Sequence, residues 1–136
     1  MLPFITFWTG RQKNGLPTWV NKENTNLACT SLAGYKLAGI NLSRTDLFKT
    51  NLNRTDLEGA NLSYAYLRKA NLQGTNLTRA NLKGANLREA DLTGAKVDGA
   101  EFKFAIFNSA TVLPFPREDA FARGMVLEER ERRQVK

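Results

Sequence analysis

The sequence predicts an all-β solenoid, in which the chain coils through short parallel strands around a narrow leucine core. From Leu27 to Leu92 every fifth residue is leucine, fourteen times in succession. The same position continues with Val97, Phe102, Phe107 and Val112. Two residues earlier stands alanine in ten units and threonine in six. A period of five fits neither a helix nor a single strand, whereas a chain that turns a corner every five residues accommodates it.

Each five-residue unit assigns a role to each position. We call the leucine the central residue, the alanine or threonine the inward small residue, and the residue between them the bridge residue. The two residues after the leucine are the first and second corner residues. The central and inward small residues are expected to face the interior and the other three to face water. Tyr35 and Ile40 replace the inward small residue in two early units, where we expect the interior to open towards a cap.

The bridge residue is asparagine or aspartate in eleven of the eighteen units, as in Ala80-Asn81-Leu82. This pattern resembles the A(D/N)LXX repeat of the pentapeptide-repeat family over residues 25–114. The resemblance implies a right-handed quadrilateral parallel β-helix with one unit per side and about 4.5 coils. Because the family is abundant in cyanobacteria, it also implies a cyanobacterial source.

A twenty-residue coil predicts four buried columns of central residues. They are Leu27, Leu47, Leu67, Leu87 and Phe107; Leu32, Leu52, Leu72, Leu92 and Val112; Leu37, Leu57, Leu77 and Val97; and Leu42, Leu62, Leu82 and Phe102. Stacked bridge asparagines are expected to hydrogen-bond to the corner backbone. Asp46, Asp56 and Asp91 occupy the same position and are therefore interpreted as structural, not catalytic.

Both ends of the repeat require a cover, because an exposed strand edge recruits other chains. Residues 1–24, which are rich in aromatic residues, are predicted to form an N-terminal cap. Residues 115–136 are predicted to form a helical cap and a charged tail. Pro114 and Pro116 should end strand pairing, and a short helix should follow and stop at Gly124. Phe115 and Phe121 are the expected contacts onto the last coil, and the tail from Glu128 is either a solvated helical extension or disordered.

Composition argues against an enzyme. The chain has no histidine, the commonest general base and zinc ligand, so no catalytic residue, cofactor or metal is predicted. Its one cysteine, Cys29, is compatible with a reducing cytoplasm. No apolar run approaches the length of a membrane span, and no secretory signal pattern is present. We therefore expect a cytoplasmic protein without a membrane partner.

The net charge of +7 is spread along the chain, with eleven basic and seven acidic residues between 25 and 112. Twenty-residue stacking brings several of these charges and two aromatic residues onto one side of the coil. This candidate partner-binding face consists of Phe48, Lys49, Tyr66, Arg68, Lys69 and Arg88. An aromatic ring beside arginine offers a cation–π contact. The alternative interpretation is a solvated face that charge keeps soluble.

Three functions follow from these observations. The first is a non-enzymatic binding or scaffold module, monomeric or weakly dimeric, that presents flat faces to a protein partner. The second comes from the family resemblance, since some members mimic DNA and occupy the DNA site of gyrase; the basic charge of this chain disfavours it. The third is direct binding of nucleic acid or an anionic surface, which +7 permits but which no groove of interleaved aromatic residues supports.

Overall fold

The computed structural model describes residues 24–129. The predicted N-terminal cap therefore lies outside the described residues apart from Asn24, and so do residues 130–136 of the predicted tail. The described chain is a right-handed quadrilateral β-helix. Parallel bridges join bridge residues twenty positions apart, from Asn26–Asp46 to Asn86–Ile106. The predicted coil length is therefore confirmed.

One unit, residues 60–64, explains why the repeat has this composition. The N–H of Asn61 donates to the coil below, at the carbonyl of Ile40 (2.9 Å). The N–H groups of Leu62 and Tyr64 donate to carbonyls of the coil above at 2.7 and 2.8 Å. The N–H of Ala60 closes the preceding turn on Leu57 O at 3.0 Å. Every backbone donor of the unit except that of Ser63 is thus satisfied by backbone.

The bridge asparagine satisfies the remaining donor. Asn61 Oδ1 accepts from the N–H of Ser63 at 3.0 Å and from its hydroxyl at 2.7 Å. Asp46, Asp56 and Asp91 accept the equivalent N–H of their own units. Because a buried, unpaired N–H is costly, the bridge position favours a short side chain with an acceptor oxygen. The structural interpretation of these aspartates is confirmed.

Each corner needs a left-handed residue. All second corner residues from Asn24 to Phe104 have φ between 56° and 76°, as at the second central residue of a type II turn. Glycine adopts this conformation at little cost, and it occupies the position in seven units. Arginine, lysine and tyrosine occupy it in others, such as Arg44, Lys49 and Tyr64. The corner therefore tolerates a side chain where space allows one.

The core consists of the central and inward small residues. The central leucines from Leu27 to Leu92 are all 0–3% exposed, and Phe102 and Phe107 close the C-terminal end at 2% and 0%. The hydroxyls of three inward threonines, Thr50, Thr55 and Thr75, donate to carbonyls of the neighbouring coil, as Thr55 Oγ1 does to Leu32 O at 2.8 Å. Tyr35 and Ile40 pack against this core and stay partly exposed.

The predicted register is wrong after Phe107, where the chain inserts one extra residue. Val112 is a bridge residue that pairs with Asp91, and it is 46% exposed. Thr111 takes the inward position and donates its hydroxyl to Leu87 O at 2.9 Å. Leu113, not Val112, packs towards the core. Asn108 makes the insertion possible, because its side-chain oxygen replaces a backbone carbonyl in accepting the N–H of Glu89 (3.1 Å).

The C-terminal segment contains β1 (Ile106–Phe107), α1 (Arg117–Ala122) and β2 (Val126–Leu127). Helix α1 follows Pro116 as predicted, and Gly124 has a φ of 83°. The rings of Phe115 and Phe121 lie 5.6 and 5.7 Å from those of Phe102 and Phe107, which confirms the predicted contacts.

Strand pairing does not end at the prolines, which corrects the prediction. Strand β2 pairs in parallel with β1, Ile106 with Val126 and Phe107 with Leu127. Met125 fills the inward position, 4% exposed. The intervening segment turns away through α1 and returns in the twenty-residue register. Arg117 holds the turn by donating to the carbonyls of Asn108, Ser109 and Thr111.

Candidate functional site

The predicted face lies on the side of the coil built around Leu47, Leu67 and Leu87, which we call the first face. Its most distinctive feature is an aromatic pair: the rings of Phe48 and Tyr66 stack with centroids 6.1 Å apart and planes 28° apart. Both side chains are partly exposed. A bridge residue and a first corner residue on successive coils thus form one apolar surface, because the parallel coils place them side by side.

Two cations border this pair. Lys49 Nζ lies 5.5 Å and Arg68 Cζ 6.0 Å from the centroid of the Phe48 ring. These are cation–π distances, at which the ring holds the charged group in place. Lys69 is exposed one coil above Lys49, with its N–H bonded to Arg88 O at 3.0 Å. We call Phe48, Lys49, Tyr66, Arg68 and Lys69 the aromatic–basic patch.

One acidic residue, Glu89, neutralises part of the patch. Arg68 Nε lies 2.6 Å from Glu89 Oε1. The hydrogen bond from Arg68, and the positive charges of Arg68, Lys69 and Arg88, hold the pKa of Glu89 below its usual value. The charge of Arg68 is therefore paired with a carboxylate, and the patch is less basic than its sequence suggests.

Arg88 does not join the patch as a contact residue. It is only 8% exposed, and its Nη1 lies 3.2 Å from Glu128 Oε1. Glu128 follows β2, and its N–H donates to Phe107 O at 2.8 Å. The pair joins the C-terminal segment to the regular coils, so Arg88 has a structural role. The sequence does not indicate this role, because Glu128 reaches Arg88 only through the pairing of β2 with β1, outside the repeat.

A second aromatic and basic group was missed. It lies on the side built around Leu42, Leu62, Leu82 and Phe102, which we call the fourth face. Arg44 Cζ lies 5.1 Å from the ring of Tyr64, which is 47% exposed and leans over Gly84. Phe104 is 50% exposed at the same corner. The twenty-residue spacing of Arg44, Tyr64, Gly84 and Phe104 could have identified this column.

Other potential functional features are few. Cys29 is exposed at a second corner position. Between residues 24 and 129, no three potential metal ligands lie together. Over the same span, no helix has the length and apolar character that crossing a membrane requires.

Comparison with known proteins identifies the family. The family model for pentapeptide repeats, which describes eight copies of the repeat, matches residues 25–63, 60–98 and 85–112. The chain belongs to the pentapeptide-repeat family. Family members are generally structural repeat proteins without catalytic activity. No curated protein matches the chain significantly.

Several solved structures resemble this pentapeptide-repeat protein. One, from the Arabidopsis thaliana thylakoid lumen, is 24% identical over 85% of this chain and 83% of its own, with a TM-score of 0.43. A Nostoc PCC 7120 protein is 27% identical over 94% of this chain and 96% of its own, with a TM-score of 0.36. A Cyanothece 51142 protein is 27% identical over 78% and 82%, with a TM-score of 0.34. All three are pentapeptide-repeat proteins, and two come from cyanobacteria.

Proposed function

We propose that this pentapeptide-repeat protein is a non-enzymatic binding module that holds a protein partner against its first face. The stacked pair of Phe48 and Tyr66, bordered by Lys49 and Arg68, is the observation that carries this proposal. Partly exposed aromatic residues next to arginine are typical of the residues that dominate binding energy at protein interfaces.

The rigidity of the coil supports the same function. Backbone hydrogen bonds join the corners of successive coils on the first face, for example Lys49 N to Arg68 O at 3.0 Å and Lys69 N to Arg88 O at 3.0 Å. A partner would therefore meet a surface that is already ordered, and the entropy lost on binding would be small. The exposed lysines of the patch favour a partner with an acidic surface, since complementary charge accelerates association.

In this proposal the protein acts as a monomer or weak dimer, needs no cofactor, and works in the cytoplasm. The gyrase type of DNA mimicry is disfavoured, because a net charge of +7 opposes the negative surface that it needs. Binding of nucleic acid to the lysines remains an outcome that the experiment must distinguish.

The test uses substitutions that the repeat already tolerates. Phe48→Ser and Tyr66→Asn place at each position a residue that other units have there, such as Ser63 and Asn61. The double variant should keep its thermal stability. Immobilised wild type and double variant are incubated with lysate of the native cell, and proteins and nucleic acids retained by each are identified. The retained protein is then purified and its affinity for both forms measured.

The control variant is Lys96→Asn, on the opposite side of the coil. It introduces asparagine, which other units such as that of Asn76 have at the bridge position. We expect one protein to bind wild type and Lys96→Asn equally and the double variant at least tenfold more weakly, as loss of two aromatic contacts implies. Equal binding by all three forms would overturn the assignment of the patch. Salt-released nucleic acid in place of protein would support the third function instead.

A further inference from the structure

A cleft on the fourth face, at the end that carries α1, lies apart from the aromatic–basic patch. Its volume is about 460 Å³, which is within the range of small-molecule sites. It is lined by Lys83, Ala100, Glu101, Phe102, Lys103 and Arg123. Three of these six residues are cations: Lys83 and Lys103 lie on successive coils, and Arg123 lies in the segment stacked on the second of them.

The backbone determines where the cations lie. Lys83 and Lys103 are first corner residues one coil apart, and the N–H of Gly84 donates to Lys103 O at 2.9 Å. Arg123 follows helix α1 and precedes Gly124, whose carbonyl accepts from Phe104 N at 2.8 Å. A Cβ at Gly124 would lie 3.3 Å from Lys103 Cα. Glycine therefore allows the segment after α1 to lie directly on the coil, which brings Arg123 beside Lys103.

Aromatic rings orient the arginine. Arg123 Cζ lies 4.2 Å from the ring centroid of Phe115 and 5.9 Å from that of Phe102. The two rings pack edge to face with centroids 5.6 Å apart. A guanidinium held against a ring keeps its N–H edge available for hydrogen bonds, and this geometry suits phosphate and carboxylate oxygens.

The charges of the cleft are not balanced by the rest of the described chain. Arg68, Arg79 and Arg88 each pair with a glutamate. By contrast, Lys83, Lys103 and Arg123 form no ion pair with any residue from 24 to 129. The only carboxylate in the cleft belongs to Glu101, which leaves an excess of two positive charges. Stacked like charges raise the energy of the folded chain, and a bound dianion would remove that cost.

We propose that this cleft binds the phosphate monoester group of a small molecule. A phosphate monoester carries about −1.5 to −2 charges at pH 7, which matches the excess charge of the cleft. Arg123 would supply paired donors to its oxygens, and Lys83 and Lys103 would supply charge. Because the cleft and the patch use different residues on different faces, failure of either proposal leaves the other intact.

The test is a titration of the ¹⁵N-labelled full chain in phosphate-free buffer at constant ionic strength. The probes are inorganic phosphate, adenosine 5′-monophosphate and a short DNA duplex. We expect saturable shifts of the Lys83, Lys103 and Gly124 amide signals with inorganic phosphate and with adenosine 5′-monophosphate, at millimolar concentration or below. Phosphodiester DNA should shift them less at equal phosphate concentration.

Variants identify the groups responsible. Lys83→Ser introduces the residue that two lower coils have at the same position, Ser43 and Ser63. This variant and Arg123→Gln should each weaken binding of adenosine 5′-monophosphate about tenfold. Glu101→Gln should strengthen it, because the repelling carboxylate is removed. Lys96→Gln, an exposed cation of another face, should change nothing. Unsaturable shifts, equal affinity in all variants, or preference for duplex DNA would each overturn the proposal.

Discussion

At the scale of single residues, glycine has two roles at the second corner position. All residues there from Asn24 to Phe104 have positive φ, but only some positions also lack room for a side chain. Gly59 and Gly84 have nearly equal φ values of 68° and 69°. A Cβ on Gly59 would have no atom within 4 Å, whereas one on Gly84 would overlap the ring of Tyr64 from the coil below. A comparison of Gly59 with Gly84 therefore distinguishes the cost of backbone strain, which both positions have, from the cost of crowding, which only Gly84 has.

We predict that Gly84→Ala destabilises the protein more than Gly59→Ala does. Both variants introduce the cost of a left-handed alanine, about 1 kcal/mol. Gly84→Ala adds the loss of the packing of Tyr64, about another 1 kcal/mol. Urea unfolding monitored by circular dichroism gives both values. In a Tyr64→Ser background the two substitutions should cost the same; a persisting difference would contradict the crowding explanation.

At the scale of elements, a partly buried ion pair adds to the backbone hydrogen bonds that connect the C-terminal segment to the coil. The side chain of Arg88 is 10% exposed and that of Glu128 is 32% exposed. Removing the carboxylate leaves a largely buried guanidinium with less compensation, which is costly. Strand β2 consists of only two residues, so it depends strongly on such a contact.

We predict that Glu128→Gln loosens β2 without unfolding the coil. Amide hydrogen exchange at Val126 and Glu128, whose N–H groups donate to Ala105 and Phe107, should become at least tenfold faster. Exchange at Leu62 and Leu67 should stay the same. Glu118→Gln, on the exposed side of α1, is the control. Equal exchange in both variants would show that the ion pair does not hold β2.

The regular coils could be predicted from the sequence, because central and inward residues repeat without interruption. The C-terminal register could not. Ala110 and Thr111 are both acceptable inward residues, and Val112 and Leu113 are both apolar. The choice depends on hydrogen bonds from Thr111 to Leu87 and from Glu89 to Asn108, which join residues about twenty positions apart. Local pattern contains no information about such contacts.

At the scale of the whole molecule, the distribution of charge decides which surfaces can bind. Twenty-residue stacking correctly placed Phe48, Tyr66 and Arg68 together. It could not reveal that Glu89 neutralises Arg68, or that a glutamate beyond the helix pairs with Arg88. The cleft was missed because Arg123 reaches Lys103 only through the return of the chain after α1, outside the repeat.

The central claim is that side chains twenty residues apart lie on neighbouring coils of one face. Paired cysteines test it in a Cys29→Ser background, where no native thiol remains. Ser63→Cys with Lys83→Cys places two thiols on adjacent coils, whose backbones are about 4.8 Å apart, within reach of a disulfide. Ser63→Cys with Gln73→Cys places them on opposite faces.

Mild oxidation of the dilute protein, followed by mass spectrometry, measures intramolecular disulfide formation. We predict rapid and complete formation for the pair at 63 and 83, with the fold retained, and none for the pair at 63 and 73. Formation in the second pair, or failure in the first, would contradict the four-sided coil from which the patch and the cleft are derived.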